Sequence, residues 1–428
     1  MKNLIIKFLN LEPSQVLNID VISEGDQVFT IITLIRQFFS CPFCHLPTNR
    51  IHDYRQRTLS HAILNGITTT LVYNQRRYYC SHCKKSFPEE NPFVNSGKRI
   101  SRYTLLRIMK ELKNPRMTFS MVAANCNLSI STVIRVFDDY AGIPSLPFPD
   151  ILCIDEVYAL KYNQKVYACV LLDFRTNEIF DLLPSRHKYQ LANYFSKIDK
   201  AQRDKVLYIS MDMWEPYRDV TSLYFKNAKI CVDNFHVVKL INYAFSKVRI
   251  RVMSHYDKGS DNYYLLKKYA WLLNMKYDDI HIDKKIKLYK KISSFYHKDV
   301  LATKLINHML DCDYELEIAY MLKEEFNEIN KQATAETIAS KLDTFIENLM
   351  IYNLNEFKTI TVTLKKWRQE IINSFDLIEG RRISNGPVES LNSRIKCIKR
   401  NANGYQNFDR FRRRVLYSLS SKSYIHFH

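Results

Sequence analysis

The 428-residue sequence predicts a multidomain α/β protein. Its length exceeds what one hydrophobic core usually supports, so we expect two or three domains. Two Cys-x-x-C pairs come first, a helical stretch follows, and beyond a Pro-rich linker at 143–149 short apolar runs alternate with helical patterns. This alternation is typical of a β-sheet covered by helices.

The composition indicates a polyanionic partner. Lys and Arg number 63 against 44 Asp and Glu, which gives a formal net charge of +19 spread along the whole chain. Nucleic acid is therefore favoured over a membrane as the partner. No apolar run reaches the roughly 18 residues of a membrane span, and the stretch Leu4 to Leu9 has no signal-peptide cleavage site. We expect a cytoplasmic protein without a membrane contact.

The first domain, residues 1–100, carries four of the ten cysteines in two C-x-x-C pairs, and the segment between them, Thr68 to Tyr79, is rich in strand-forming residues. Two such pairs can present four thiolates tetrahedrally to Zn²⁺, whereas disulfides are not expected in a cytosolic chain. The spacing therefore predicts a zinc ribbon with structural zinc bound by Cys41, Cys44, Cys80 and Cys83.

The second domain, residues 101–142, is predicted to be helical. A short helical stretch at 118–126, a tight turn at 127–129 and a second helix from Ile130 form the pattern of a helix-turn-helix. Ser131, Thr132 and Arg135 would then face the major groove of DNA. A helical hairpin without DNA contacts is the alternative, since such hairpins occur in many helical domains.

Beyond the linker the order is three strands, helix, strand, helix, strand, helix, which is the order of the ribonuclease H-like fold. We predict a catalytic domain formed by 150–238 and 374–428, interrupted by an all-α insertion at 239–373 that has almost no Gly or Pro. The predicted elements are strands Ile151–Ile154, Val166–Phe174 and Glu178–Leu183, helix His187–Lys200, strand Val206–Met211, helix Trp214–Phe225, strand Lys229–Val232 and a helix from Asn234.

Two acids follow short apolar strands of this domain. Asp155 and Asp212 would emerge at the carboxyl ends of strands, where open α/β sheets bind their ligands. Glu389, at the start of a helix, could be brought to the same edge. Three converging carboxylates repel each other and require cations, so two Mg²⁺ or Mn²⁺ ions are expected, which can activate the attacking oxygen and stabilise the leaving oxygen of a phosphodiester. Taken singly, each acid could instead cap a turn or a helix.

The helix that carries Glu389 is strongly basic. Its apolar positions form one stripe at helical spacing, and Glu389 lies on the opposite, polar face among cations. We expect these cations to hold DNA phosphates near the cut. They are Arg394, Lys396, Lys399 and Arg400.

Three further residues are candidates for supporting roles. Asp233 and His236 follow the last strand and could orient a water, a phosphate or Asp212. The alternative is a helix cap with a buried histidine. Trp214 could stack on an unpaired base beside the cut, or it could pack in the core at a helix start.

These residues together resemble the bacterial insertion-sequence transposases of the ISL-three group, a branch of the DDE transposases. The resemblance covers nearly the whole chain and rests on the C-x-x-C pairs, the helix-turn-helix and the motifs Ile154-Asp155-Glu156, Asp212-Met213-Trp214-Glu215-Pro216-Tyr217, Asp233-Asn234-Phe235-His236, Ser384-Asn385-Gly386-Pro387-Val388-Glu389 and the tail from Gly404 to Arg412. It implies that Asp155, Asp212 and Glu389 are the metal-binding triad and that Asp233 and His236 are an auxiliary motif. It also implies that the zinc ribbon and helix-turn-helix recognise the terminal inverted repeats of the element.

The sequence is thus interpreted as a DNA transposase that cleaves double-stranded DNA at its terminal inverted repeats and joins the freed 3′-hydroxyl to target DNA. Because two ends must be handled together, a homodimer or larger assembly on DNA is expected. Two alternatives remain open at this point. One is a metal-dependent nuclease that cuts without joining, and the other is a non-catalytic zinc and helix-turn-helix regulator.

Overall fold

The computed structural model describes Ile6, Leu9 and residues 11–62, 67–94, 99–162, 165–281 and 283–427, without the side chains of 160–162 and 165–166. The chain forms two compact units. The first unit contains residues 1–146, 158–166 and 391–428. The second unit contains residues 147–157 and 167–390.

The N-terminal part of the first unit is a five-stranded sheet in the order β1-β2-β6-β5, with β7 beside β6. The predicted strand-rich segment Thr68–Tyr79 is one long strand, and it ends directly before Cys80. Apolar side chains on one face of the sheet, among them Ile32 and Leu71, are fully buried. The strands are β1 (Val16–Glu24), β2 (Gln27–Leu34), β3 (Phe39–Ser40), β4 (Pro47–Thr48), β5 (Ile51–Ser60), β6 (Thr68–Tyr79) and β7 (Ser86–Pro88).

Three helices follow in the first unit, as the sequence predicts for 101–142: α1 (Arg102–Lys113), α2 (Phe119–Cys126) and α3 (Ile130–Tyr140), with the short strand β8 (Ala141–Gly142) after them. A hydroxyl side chain caps the N-terminus of each helix by accepting a hydrogen bond from a first-turn amide. The residue after α2, Asn127, takes the left-handed conformation with φ 50°. Helices α2 and α3 meet at 109°. No described helix is by itself long and apolar enough to cross a membrane, although this bent pair would pass on length and composition.

The second unit is built on a sheet in the order β11-β10-β9-β12-β13. Strand β12 runs parallel to both β9 and β13, whereas β10 and β11 are antiparallel. The strands predicted at 178–183 and 229–232 are confirmed with the same bounds. The five strands are β9 (Ile151–Tyr162), β10 (Lys165–Asp173), β11 (Glu178–Leu183), β12 (Tyr208–Met211) and β13 (Lys229–Val232).

The prediction that the first of these strands ends before Asp155 is wrong. Strand β9 continues to Tyr162, so Asp155 lies inside it. The reason is that the alternation of buried side chains persists beyond the two acids, with Val157 fully buried and Ala159 3% exposed. The acidic pair interrupts the hydrophobic pattern of the sequence but not the hydrogen-bonded strand.

Helices lie against this sheet and extend without a break into the segment predicted as an insertion. The boundary predicted between 238 and 239 falls within one 21-residue helix, and a single hydrophobic cluster joins the sheet to the helices up to Phe375. The helices are α4 (Lys188–Ser196), α5 (Lys200–Arg203), α6 (Glu215–Tyr224), α7 (Asn234–Ser254), α8 (Asp261–Lys268), α9 (Ala270–Asn274), α10 (Ala302–Leu310), α11 (Tyr314–Gln332), α12 (Ile338–Tyr352), α13 (Lys358–Lys366) and α14 (Arg368–Asn373).

The sequence predicts an all-α insertion at 239–373, and the structure differs from that prediction. It contains a small antiparallel pair, β14 (Lys285–Lys287) and β15 (Asp299–Leu301). A second pair, β16 (Leu377–Ile378) and β17 (Arg381–Arg382), precedes the helix of Glu389, α15 (Gly386–Asn401). These short strands lack the length and alternation that would make them visible in the sequence.

The C-terminal region differs from the predicted domain division. Residues 391–428, predicted to belong with the catalytic segment, fold with the first unit. Their last helix, α16 (Phe408–Leu419), buries Tyr417 in the same cluster as helices α1 to α3, and the short strand β18 (Tyr424–Ile425) pairs with β8. Arg414 is fully buried there and donates hydrogen bonds to the carbonyls of Asn114 and Met117. Long-range packing of this kind has no local sequence signal.

Candidate active site

The four predicted zinc ligands meet in the first unit. Cys41 Sγ lies 3.5 Å from Cys83 Sγ, and Cys44 Sγ lies 3.6 Å from Cys80 Sγ. All four sulfurs are within 4.8 Å of one another. Zinc–sulfur bonds of about 2.3 Å in a tetrahedron require sulfurs about 3.8 Å apart, so the donor set fits Zn²⁺.

Both cysteine pairs are presented by turns of the same shape. In each turn the carbonyl of the first cysteine accepts a 2.8 Å hydrogen bond from the amide of a residue with positive φ, which is His45 in one turn and Lys84 in the other. The amide of Cys83 also hydrogen-bonds the Cys80 sulfur and lowers the pKa of that thiol to about 6. Such backbone donors favour the thiolate, which is the form that binds a metal.

In the second unit, Asp155 lies in strand β9 and Asp212 directly follows the neighbouring parallel strand β12. Cys153 of β9 pairs with Ser210 of β12, and each aspartate comes two residues later in the chain, Asp155 inside β9 and Asp212 directly after β12. Neighbouring strands are about 4.8 Å apart, so residues at equivalent positions are within electrostatic reach. The sheet therefore brings these two predicted acids together, although Asp155 is inside its strand rather than after it.

Burial and mutual repulsion disfavour the charged forms of both carboxylates. Burial is the main cause that raises the pKa of Asp155 to about 6 and that of Asp212 to about 7. The neighbouring charge of Glu156 raises both pKa values further. Acids held in this way gain stability from a cation.

Asp233 is a third acid at the same edge of the sheet. Met211 of β12 pairs with Val232 of β13, so Asp212 and Asp233 each follow a strand at equivalent positions. The Asp233 amide donates to the Met211 carbonyl at 3.0 Å, and its side chain caps helix α7. The cap that the sequence left as an alternative is thus present, in a position that also faces Asp212.

His236, one turn into α7, lies between these two aspartates. Its Nδ1 is 3.1 Å from Asp212 Oδ1 and 3.5 Å from Asp233 Oδ2. The hydrogen bond with Asp233 is the main cause that raises the pKa of His236 above its usual value. A protonated His236 would balance part of the negative charge of the two carboxylates.

The chemistry of the described donors fits a divalent cation. One ligand atom each from Asp212, Asp233 and His236 lies within 4.8 Å of the others, and Asp155 acts on Asp212 electrostatically. Asp212 Oδ1 is buried and accepts no well-aligned hydrogen bond from the described residues, so it keeps lone pairs for a metal. Carboxylate oxygens are the ligands preferred by hard cations such as Mg²⁺ and Mn²⁺.

Glu389 is on a helix whose start is fixed to strand β9. The buried Asn385 side chain donates to the Ile154 carbonyl at 3.1 Å, directly before Asp155. The Asn385 carbonyl in turn accepts from the Glu389 amide at 3.1 Å. Glu389 itself is exposed and lies outside the compact group of Asp212, Asp233 and His236. The start of this helix therefore contacts the strand of Asp155, and Glu389 lies one helical turn after the Asn385–Ile154 hydrogen bond.

The cations predicted on the same helix point mainly to solvent. Arg394, Lys396 and Arg400 are exposed. Lys399 is half-buried, its ammonium lies 4.1 Å from the centre of the Tyr158 ring, and burial lowers its pKa. Three of the four side chains are thus available to an external anion as they stand.

The predicted DNA-reading residues are on the first turns of α3. Ser131 and Arg135 are exposed and Thr132 is half-buried. The hydroxyl of the capping Ser129 contacts both neighbouring hydroxyls, at 3.0 Å from Ser131 and 2.8 Å from Thr132. The Arg135 side chain extends from this face one turn further on.

Trp214 is half-buried beside the acids and packs against the hydrophobic cluster of the second unit. Its ring meets Tyr217 edge-on at 4.8 Å and 90°. The guanidinium of Arg186 lies 4.7 Å from the centre of the Trp214 ring and 4.6 Å from that of Tyr167. Base stacking by Trp214 stays a prediction, and Arg186 is a residue that the sequence did not single out, since its partners lie far apart in the chain.

Comparison with known protein families gives two matches, one around the cysteine cluster and one over the acidic residues. Residues 152–415 match the DDE transposase family of the ISL3 group. Residues 37–83 match the zinc-finger of transposases IS204, IS1001, IS1096 and IS1165. The second match contains all four cysteines of the thiol cluster, and the first contains all the acids described above.

Two curated proteins are similar to the chain. The transposase for insertion sequence element IS1001 of Bordetella parapertussis is 21% identical over 377 residues, which cover 87% of this chain and 86% of that protein. A Lactococcus lactis subsp. lactis protein described as an ATP-dependent protease is 27% identical over 130 residues, which cover 30% of this chain and 39% of that protein. The first comparison spans both units, whereas the second concerns one segment.

Proposed function

The chain belongs to the DDE transposases of the ISL3 family, and from that premise we propose that Asp155, Asp212 and Glu389 form its catalytic triad. DNA is the substrate, and membership in the family implies a divalent metal. The observation that carries the proposal is that Asp155 and Asp212 occupy equivalent positions on β9 and just after the parallel β12, with the helix of Glu389 anchored at Ile154, one residue before Asp155.

Each residue of the proposed site has a defined role. The triad carboxylates would hold two Mg²⁺ or Mn²⁺ ions, which when bound would supply charge stabilisation for the attacking and leaving oxygens of the phosphodiester. His236 orients the Asp212 carboxylate through its 3.1 Å contact, and Asp233 holds the His236 ring at 3.5 Å. Asn385 fixes the start of the Glu389 helix against β9. Metal ligands that are oriented in this way by neighbouring groups lose less entropy on binding.

The sheet order and strand directions of the second unit support the finer proposal that this core is ribonuclease H-like. We place Asp155 and Asp212 at neighbouring positions in that core, with α15 supplying the third acid. The cations of α15 would contact DNA phosphates, which lowers affinity as salt rises. These cations are Arg394, Lys396, Lys399 and Arg400.

In the first unit we propose a zinc ribbon held by Zn²⁺ and a helix-turn-helix that reads DNA. The 109° angle between α2 and α3 and their three-residue turn are typical of that motif. Ser131, Thr132 and Arg135 would contact base edges of the terminal inverted repeats. Because two ends and a target must be handled together, we propose that a homodimer or larger assembly acts on DNA.

The test is a strand-transfer reaction of the full chain with an oligonucleotide that ends in a pre-cleaved inverted repeat, a plasmid target and Mg²⁺ or Mn²⁺. The expected result is a covalent joint between the repeat's 3′ end and the plasmid, lost in Asp155→Asn, Asp212→Asn and Glu389→Gln. Hydrolysis without any joining would favour the nuclease alternative. Full joining by all three variants would show that the triad is misassigned.

A further inference from the structure

The acid cluster lies beside one cation whose surroundings are unusual. Among the described residues, Arg186 donates a hydrogen bond to Glu156, which directly follows Asp155, and its guanidinium is placed between the rings of Tyr167 and Trp214. The two distances to the ring centres are 4.6 and 4.7 Å. The Arg186 side chain is 28% exposed, so it is reachable from solvent.

This arrangement holds the guanidinium in one orientation while leaving donors free. A guanidinium carries five N–H donors, and among the described residues Glu156 is the one acceptor of a hydrogen bond from Arg186. Two aromatic faces restrict the rotation of the group and attract its positive charge. A planar, oriented guanidinium with free donors is suited to bidentate binding of a phosphate.

The negative charge at this site also favours a cation such as the Arg186 guanidinium. Asp155, Glu156, Asp212 and Asp233 act on one another electrostatically, and each is an acid. A DNA strand that approaches them brings further negative charge. A fixed cation that contacts Glu156, the residue after Asp155, would offset part of that repulsion at the phosphate nearest the reaction.

We propose that Arg186 binds a DNA phosphate next to the scissile position, with Tyr167 and Trp214 orienting its guanidinium and Glu156 serving as its counter-ion when DNA is absent. This rests on the function proposed above and adds a residue and a backbone contact to it. A neighbouring cation of the second unit has a different environment. Lys188 is paired with Asp219 at 3.0 Å on the exposed surface.

The test measures DNA binding by the full chain without added Mg²⁺ or Mn²⁺, so that no cleavage is needed. Arg186→Gln is expected to weaken binding of an end-containing duplex about tenfold and to reduce the slope of log affinity against log salt by about 0.9, the value for one lost phosphate contact. Arg186→Lys is expected to keep the slope, because the charge remains, yet to slow cleavage once metal is added, because a lysine cannot bind bidentately. Lys331→Gln removes a cation paired with Asp278 in the helical segment and serves as the charge-matched control.

A second arm locates the phosphate. Neutral methylphosphonates are placed one at a time at the phosphates flanking the cut, and each duplex is bound to the wild type and to Arg186→Gln. At one position the methylphosphonate should weaken DNA binding by the wild type about tenfold. The same methylphosphonate should leave DNA binding by Arg186→Gln unchanged, since that variant has already lost the contact. Glu156→Gln should bind DNA at least as tightly as the wild type, because it frees Arg186.

A purely structural ion pair gives the opposite pattern. Arg186→Gln would then leave the salt slope unchanged, Arg186→Gln and Glu156→Gln would be equally harmful, and every methylphosphonate would weaken wild type and variant alike. That result overturns the proposal. If a melting experiment shows that Arg186→Gln does not fold, Arg186→Lys decides the question. Slower cleavage by Arg186→Lys with an unchanged salt slope of DNA affinity supports the proposal, and full cleavage by that variant contradicts it. Failure of the wild type to join DNA would concern the proposed function only, because the binding measurements do not depend on joining.

Discussion

The two candidate metal sites of this protein are assembled in different ways. The four cysteines come from two short turns of the same shape, and each turn is closed by its own backbone hydrogen bonds. The acids come from the interior of β9, the ends of β12 and β13, and a helix that begins at Gly386. A thiol site of this kind is therefore defined by local spacing, whereas the carboxylate site exists only once the sheet has formed.

The two sites also differ in what remains open. Four thiolates fill the tetrahedral shell of Zn²⁺, which leaves no position for a substrate, as is usual for structural zinc. In the acid site, Asp212 Oδ1 lacks a well-aligned hydrogen bond from the described residues and Glu389 is exposed. A closed metal shell suits the stabilisation of a fold, whereas carboxylates that repel one another suit chemistry on an incoming ligand.

The largest effect is expected when the closed site is broken. Cys80→Ser should abolish zinc binding and unfold the sheet around the cysteine turns, because structural zinc contributes on the order of 10 kcal/mol to small domains. Zinc content and hydrogen exchange of residues 39–88 measure this. Cys126→Ala, which removes a buried thiol among helices α1 to α3, is the matched control and should retain zinc. Unchanged zinc content and exchange in Cys80→Ser would contradict the closed-site account.

Removing an acid should instead affect chemistry and spare the fold. Asp212→Asn is expected to lower the cleavage rate by about 10³-fold or more, equivalent to about 4 kcal/mol of transition-state stabilisation. The melting temperature should stay the same or rise, since repulsion with Asp155 is relieved. Asp181→Asn is the control, because Asp181 is a buried acid of the same sheet that bonds Tyr194 at 2.9 Å. A variant Asp212→Asn that melted far below the wild type would instead indicate a structural acid.

A smaller effect separates the helix anchor from ordinary packing. Asn385→Ala should destabilise the second unit by about 1–3 kcal/mol, because it leaves the Ile154 carbonyl without its donor, and it should also slow cleavage. Asn373 makes an equivalent bond to the carbonyl of Ile230 at 2.9 Å from a helix without a catalytic residue. Asn373→Ala should therefore cost similar stability and leave the cleavage rate of the folded protein unchanged. Equal rates for the two variants would argue against the anchoring role of Asn385.

The smallest effect concerns DNA reading by the first unit. Arg135→Ala should weaken binding to the inverted repeat by about 1–3 kcal/mol and reduce discrimination against random DNA. Lys110→Ala, at an exposed position of α1, should leave the discrimination ratio unchanged. Competition binding with repeat and random duplexes gives both ratios. Loss of affinity by Arg135→Ala for both duplexes to the same extent would indicate a phosphate contact in place of base reading.

Much of the architecture is readable from the sequence because its signals are local. The cysteine spacing, the strands at 178–183 and 229–232, and the acid directly after β12 all follow from patterns a few residues long. The helices of 101–142 are marked by hydroxyl caps at their starts. The family match then confirms the transposase interpretation that the acids and cysteines had suggested.

What the sequence did not reveal depends on contacts between distant segments. Strand β9 passes through Asp155 because buried positions continue beyond it, although two adjacent acids look like an end. Residues 391–428 fold with the first unit through packing of α16, and no local sequence pattern predicts this packing. The position of Arg186 between two rings likewise requires three segments to meet.

The central claim is that Glu389 joins Asp155 and Asp212 in one metal site, and a change of ligand tests it most directly. In Glu389→Cys, strand transfer should be lost in Mg²⁺ and partly restored in Mn²⁺, because Mn²⁺ accepts softer ligands than Mg²⁺. Asp155→Cys and Asp212→Cys should behave in the same way. Full activity of Glu389→Cys in Mg²⁺, or rescue of the two aspartate variants without rescue of Glu389→Cys, would contradict the claim and leave Glu389 as an acid at a helix start.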